Sequence, residues 1–209
     1  MSKKSGSSKR WLIDHARDSY VQAARHEGLR SRAGYKLLQI QEKFGLIETG
    51  HIIVDLGAAP GGFSQIARRE VGREGRVVAV DLLEMAPLSG VEIIKGDFRE
   101  NSTLDELINL INGQQIDLVI SDMAPNFSGV KEIDQPNSIH LVEIVLEAVE
   151  KILRPGGSLI VKCFEGSGVN DLRSRFRKNF QKSYNFKPNA SNNRSRESFL
   201  IGRNFVGQF

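Results

Sequence analysis

The apolar run Ile52-Ile53-Val54 passes directly into Asp55-Leu56-Gly57-Ala58-Ala59-Pro60-Gly61-Gly62-Phe63, and Ser64 to Arg69 continue with helix-compatible side chains. A short apolar run bounded by turn residues reads as a buried strand, and the segment after it reads as a helix. The glycines, Gly57 and Gly61 among them, therefore occupy a strand-to-helix turn. Backbone without a Cβ lets N–H groups approach a ligand there, and Asp55 offers a carboxylate at the strand end. A tight turn that merely joins strand to helix accounts for the same residues.

The spacing narrows the ligand. A dinucleotide site wants Gly-x-Gly-x-x-Gly and a P-loop wants a closing Gly-Lys-Ser or Gly-Lys-Thr, and neither pattern is present. This argues against an oxidoreductase. An acidic residue ahead of the glycines repels phosphate but attracts the ammonium and sulfonium charges of S-adenosylmethionine. Methyl transfer is the reading that follows.

Strand and helix signals alternate through the middle of the chain. Arg76 to Asp81, Val91 to Lys95, Asp117 to Ser121 and Ser158 to Phe164 read as strands. Thr103 to Ile111, Asn137 to Leu153 and Asn170 to Asn179 read as helices, with Pro155-Gly156-Gly157 ending the second. Its apolar positions Leu141, Ile144, Val145, Ala148 and Ile152 recur at helical spacing. Such alternation predicts an α/β, Rossmann-like fold with a mostly parallel central sheet and helices on both faces. Right-handed crossovers bring the strand C-termini to one edge, where ligands bind. Asp55, Asp81, Asp97 and Asp122 all stand at or just beyond strand ends. Asp81, about 20 residues past the glycine turn, is placed to accept hydrogen bonds from a ribose diol. Asp97 and Phe98 suit adenine, and Phe63 packs against either the cofactor or the core.

A chain of 209 residues suits one compact domain. Residues 1–20 read as a basic, partly mobile segment and 21–209 as a single catalytic domain, taken as a monomer. The lone cysteine, Cys163, excludes an intrachain disulfide framework and a multi-cysteine zinc site. The basic start lacks an apolar signal core and no segment has membrane-spanning length, so a cytoplasmic protein is expected, with no membrane partner and no metal. Charge is unevenly spread. Residues 1–36 hold 9 basic against 3 acidic side chains and residues 172–209 hold 9 against 1, while residues 37–171 carry 11 against 21. Basic ends around an acidic body fit a nucleic-acid partner, or two solvated tails.

Lys36 sits early on an amphipathic segment containing Leu37, Leu38, Ile40 and Phe44. Asp122-Met123-Ala124-Pro125-Asn126 stands where substrate meets cofactor, and it differs from the Asn/Asp-Pro-Pro-Tyr pattern of amino methyltransferases. Lys162 interrupts the apolar Leu159 to Phe164 run and needs partners, because burying an unpaired ammonium costs several kcal/mol. Period-two alternation sends Lys162 and Cys163 to opposite faces, which makes Cys163 a small core residue rather than a nucleophile. Glu197 is the only acid after Asp171. Alone, each of these residues fits an ordinary surface or ion-pair role.

Taken together, Ser31-Arg32-Ala33-Gly34-Tyr35-Lys36, the Asp55 to Gly62 turn, Ser121-Asp122-Met123-Ala124-Pro125-Asn126, Val161-Lys162 and Arg194-Ser195-Arg196-Glu197-Ser198 resemble the RrmJ/FtsJ ribose 2′-O-methyltransferases in order and over nearly the whole chain. The resemblance implies a catalytic tetrad on Lys36, Asp122, Lys162 and Glu197. It also implies S-adenosylmethionine contacts around Gly61, Phe63, Asp81, Asp97 and Asp122. Phe63 stands where bacterial members usually have tryptophan, keeping an aromatic wall without an indole N–H. The compact size resembles the bacterial branch, whose substrate is a uridine ribose in the A loop of large-subunit (23S) ribosomal RNA, on naked RNA or the assembled subunit. Transfer RNA and capped RNA are the alternative substrates, and a non-catalytic RNA-binding assembly factor the alternative class. Arg30, Arg32, Arg194 and Arg196 are the expected RNA contacts. Lys162 either accepts the 2′-hydroxyl proton or only holds the hydroxyl while that proton departs late.

Overall fold

The computed structural model describes residues 18–192 and 194–207. Of the expected N-terminal segment, residues 1–17 lie outside these, while Asp18 caps the first described helix by accepting hydrogen bonds from Tyr20 N and Val21 N. The described elements run α1 (Ser19–His26), α2 (Ala33–Phe44), β1 (Ile52–Leu56), α3 (Gly62–Glu70), β2 (Arg76–Asp81), β3 (Glu92–Lys95), α4 (Asn101–Ile111), β4 (Ile116–Ser121), α5 (Lys131–Ile152), β5 (Leu153–Phe164), α6 (Val169–Asn179), β6 (Phe180–Phe186) and β7 (Glu197–Phe205).

The strands form one sheet in the order β3-β2-β1-β4-β5-β7-β6. The five strands from β3 to β5 pair in parallel, and β7 runs antiparallel to both of its neighbours. Period-two alternation divides the core between the two faces. Ile53, Val77, Leu118, Ile160 and Phe199 pack with Leu37, Ile40 and Ile66 of α2 and α3. Val54, Val78, Val119, Leu159, Val161 and Leu200 pack with Leu107 of α4, Val145 of α5 and Phe176 of α6. The α/β architecture with helices on both faces thus follows the sequence reading.

Three local differences have physical causes. Helix α5 starts at Lys131, ahead of Pro136, rather than at Asn137. Its first turn is secured from outside, because the Asp134 carboxylate accepts Ser128 N at 2.7 Å and Gly129 N at 3.0 Å. Strand β5 reaches back to Leu153, and Pro155-Gly156-Gly157 lies in an irregularity where the register jumps from Ile116↔Leu153 to Leu118↔Ser158. The C-terminal strands β6 and β7 fall outside the elements expected from sequence. Strand β6 is a polar edge, whereas β7 is buried over residues 197–202.

Gly202 in β7 lies directly beneath the Phe180 ring, and a Cβ there would sit 2.4 Å from Phe180 Cγ. Phe180 is in turn stacked on Phe176 at 4.8 Å between centroids, so the ring has little freedom to retreat. Gly202→Ala is expected to destabilise the fold by about 1–3 kcal/mol. Urea denaturation should show a lower midpoint with an unchanged slope.

Candidate active site

At the carboxyl edge of the parallel strands lies a cavity of about 660 Å³. It is lined by Gly57, Ala59, residues 81–83, 97–99 and 122–126, and by Asn137, His140, Leu141 and Ile144 of α5. Gly57 adopts φ +73°, and a Cβ there would fall 2.1 Å from Met123 Cγ, so only glycine leaves the turn and Met123 in place. Asp81 is held at the end of β2 by Ala59 N to Oδ2 at 2.8 Å and Leu83 N to Oδ1 at 2.7 Å. Each oxygen keeps acceptor capacity for a diol. Asp97 is held by Arg99, whose side-chain hydrogen bonds draw the carboxyl below its ordinary range against the opposing pull of burial. Leu82 and Leu83 are exposed beside it, and Phe98 lines the same wall. Acids flanked by an apolar wall suit a nucleoside that carries positive charge, and the donor set therefore fits S-adenosylmethionine.

Asp122 lines this cavity and also joins a second cluster. Lys36 Nζ lies 3.2 Å from Asp122 Oδ1 and 3.0 Å from Glu197 Oε1. Lys162 Nζ lies 3.0 Å from Asp122 Oδ1 and donates to the Asp122 carbonyl at 2.5 Å. Lys36, Lys162 and Glu197 are all buried. The four come from α2, the end of β4, β5 and the start of β7. Lys162 shares its sheet face with Ile160, while Cys163 points into the opposite core and contacts Ser198 Oγ at 3.3 Å. Desolvation pushes the Lys162 ammonium below the ordinary lysine range, and Lys36 pushes the same way, while Asp122 and Glu197 oppose. Burial would raise the Glu197 carboxyl, but Lys36, the Ser191 hydroxyl and Lys162 together bring it below its ordinary range.

The remaining sequence candidates fall elsewhere. Asp55 is 1% exposed and outside the cavity lining, with Oδ2 accepting from Ser64 Oγ at 2.5 Å. Gly61 caps α3 below Arg30 and is likewise outside the lining. Phe63 is 3% exposed and stacked on Phe199 at 6.0 Å between centroids. Arg30 donates to the carbonyls of Pro60, Ala86 and Pro87, bracing the glycine turn. Arg32 is ion-paired to Asp18 and donates to the Ala190 carbonyl, so it ties α1 to the loop before β7. Arg194 and Arg196 are exposed beside Glu197. The sequence reading did not include His140, Asn137 or Leu82 among the cavity residues. The one signal for them is position, since they follow strand-end Asp81 or face that edge from α5.

Burial pushes the Asp55 carboxyl up to about 7, against the hydrogen bond from Ser64 and with smaller contributions from Asp122 and Asp81. A folded-state value above the unfolded one favours the protonated native protein, so this stability is complete below about pH 4 and lost as pH rises through about 7. The loss is on the order of 4 kcal/mol by that shift. Asp55→Asn should therefore stabilise the protein relative to wild type at about pH 8, with a smaller difference at about pH 5. Urea titrations at the two pH values measure this, and a pH-independent difference would show Asp55 to be ionised throughout.

Residues 29–205 match the FtsJ-like methyltransferase family model. Among curated relatives, "Ribosomal RNA large subunit methyltransferase E" of Stutzerimonas stutzeri is 45% identical, covering 98% of this chain and 100% of that protein. The protein of the same name from Alkalilimnicola ehrlichii is 48% identical over 95% of each chain. A solved structure described as a ribosomal RNA methyltransferase from Plasmodium falciparum superposes with TM-score 0.78 at 30% identity, covering 86% of this chain and 100% of that one. Among the described residues no helix is long and apolar enough to cross a membrane.

Proposed function

Because the chain belongs to the FtsJ-like methyltransferase family, we propose that it methylates the 2′-hydroxyl of a uridine in the A loop of large-subunit (23S) ribosomal RNA, using S-adenosylmethionine. The observation that carries this reading is the buried Lys36-Asp122-Lys162-Glu197 cluster, joined through Asp122 to an acid-lined cavity. The proposed setting is the cytoplasm, on the assembled or nearly assembled subunit, with residues 21–209 acting as one catalytic unit. The large-subunit target draws its support from the names of the curated relatives.

Asp81 would hold the cofactor ribose and the apolar wall at Leu82 and Phe98 its base, with Asp122 nearest the reacting end. The bound cofactor supplies a methyl group already activated as a sulfonium. What the protein adds is placement of the 2′-hydroxyl and a destination for its proton. Lys162 is that destination. Asp122 fixes its Nζ from two sides, through the carbonyl and through Oδ1. Glu197 and Asp122 fix Lys36, which orients the hydroxyl or its neighbouring phosphate. The conflict inherent in a lysine base, whose acidic neighbours favour the charged form, is eased by desolvation and by Lys36.

Since Lys162 must be neutral to accept a proton, single-turnover methyl transfer should rise with pH and level off at an inflection below the ordinary lysine value of about 10.4. Lys162→Ala should lower the rate by about 100-fold or more, with S-adenosylmethionine affinity by calorimetry nearly unchanged. Lys162→Arg, permanently charged, should be as slow as Lys162→Ala. An active Lys162→Arg enzyme would make Lys162 an orienting group only. The substrate is tested with radiolabelled S-adenosylmethionine and large subunits from cells lacking the modification, followed by ribose-specific mass spectrometry. A single 2′-O-methyluridine in the A loop is expected. Transfer only to transfer RNA or capped RNA would discard the target, and no transfer to any of the three would favour a binding protein.

A further inference from the structure

Phe127 is an aromatic side chain left largely open, 54% exposed, five residues beyond Asp122. It is nonetheless held. Its ring meets Phe164 edge to face, 5.0 Å between centroids at 82°. Phe164 in turn lies with its centroid 5.8 Å from Lys162 Nζ. The backbone on both sides of this pair is secured by consecutive residues in the first turns of α5. Buried Asp134 accepts Ser128 N at 2.7 Å, Ser128 Oγ at 2.9 Å and Gly129 N at 3.0 Å, which fixes the turn immediately after Phe127. Buried Gln135 donates Nε2 to the Phe164 carbonyl at 3.1 Å. A Cβ on Gly166 would collide with Gln135 Oε1 at 2.3 Å, so the chain after Phe164 is shaped to admit that side chain.

A lone exposed apolar side chain needs no explanation. An exposed ring held against a second ring and secured at its backbone, two ring contacts from the reacting lysine, offers a preorganised aromatic surface. Unpaired bases of RNA are recognised by stacking on such faces, which every base can use and a paired base cannot. We propose that Phe127 is a stacking platform for an unpaired base of the RNA substrate, at or beside the nucleotide whose ribose enters the Lys162 cluster, with Phe164 as its brace. This rests on the RNA-methylation reading for its substrate class. Val130 and Ile133, 45% and 51% exposed, extend the apolar surface along the same segment.

The test is binding of a fluorescein-labelled short single-stranded RNA, followed by anisotropy, with a duplex of equal length as the comparison. Phe127→Ala should weaken single-strand binding about tenfold, in the range expected for one lost base-aromatic stack. Duplex binding should change little, since basic side chains on phosphates carry it. Phe127→Trp should restore single-strand affinity while Phe127→Leu should not, and S-adenosylmethionine affinity should be equal in all variants. With large subunits, the same loss should appear in KM rather than kcat. Equal affinity of Phe127→Ala and wild type for the single strand overturns the proposal, as does full rescue by leucine. A defect seen only with whole subunits also overturns it and assigns the patch to a protein contact. Binding is read without turnover, so absence of methyl transfer by wild type would remove the methylation reading while leaving the stacking result to stand or fall separately.

Discussion

Two lysines and two acids share a space largely closed to water, and the rest of the site depends on keeping all four. Each ion pays a desolvation penalty that its neighbours must offset, and removing one leaves its partners buried without compensation. Asp122 carries the greatest share, since it faces Lys36, Lys162 and the cavity together. The four are distant in sequence, so the cluster forms only when the sheet is complete. The reversed direction of β7 is what completes it. An antiparallel strand beside β5 begins at the edge where the parallel strands end, and Phe164 pairs with Glu197 there. A parallel strand in that place would begin at the opposite edge.

The same sheet fixes which side of β5 carries Lys162. Lys162 lies on the α2 and α3 face with Ile160, whereas Val161 and Cys163 enter the other core. A slip of one residue would exchange the two faces and move Lys162 into the core that holds Val145 and Phe176, away from Asp122. Cross-strand contacts from Ile160 to Ile201 and from Val161 to Leu200, both with fully or nearly buried side chains, oppose such a slip. Register, a property of apolar packing, thereby sets the position of the proposed proton acceptor.

Period and turn chemistry made much of this legible in advance. Strand-end positions for Asp81 and Asp122, the glycine turn and the opposite orientations of Lys162 and Cys163 follow from rules that act over a few residues. What was hidden depended on distant partners. Arg30 and Arg32 look like phosphate contacts in a basic segment, yet Arg30 is occupied by the Pro60, Ala86 and Pro87 carbonyls and Arg32 by Asp18 and Ala190. Phe63 follows the glycine turn so closely that it reads as a cofactor contact, with the core as the alternative. Its core partner, Phe199, arrives only with β7, which sequence alone did not place. Strand β7 itself was masked by Gly202 and Arg203, although Phe199 and Ile201 alternate with Ser198 and Leu200 as a doubly covered strand does.

Charge separates the two substrates of the proposed reaction. The cavity is lined by Asp81, Asp97 and Asp122, of which Asp97 is offset by Arg99 and Asp122 by Lys36 and Lys162, so that Asp81 chiefly favours a cationic methyl donor over a phosphate. Arg194 and Arg196 are exposed next to Glu197, where a phosphate backbone would be attracted. Between them stands a cluster whose two positive and two negative side chains cancel when all are ionised. Without net charge it does not reject the RNA, and it would suit the one uncharged nucleophile that a nucleotide's sugar-phosphate edge offers, its 2′-hydroxyl. Loss of the Lys162 proton tips that balance by one negative charge, beside a cavity already suited to a cation. In the proposed reaction a bound, positively charged donor would therefore favour the lysine's neutral form and couple proton acceptance to occupancy by the cofactor.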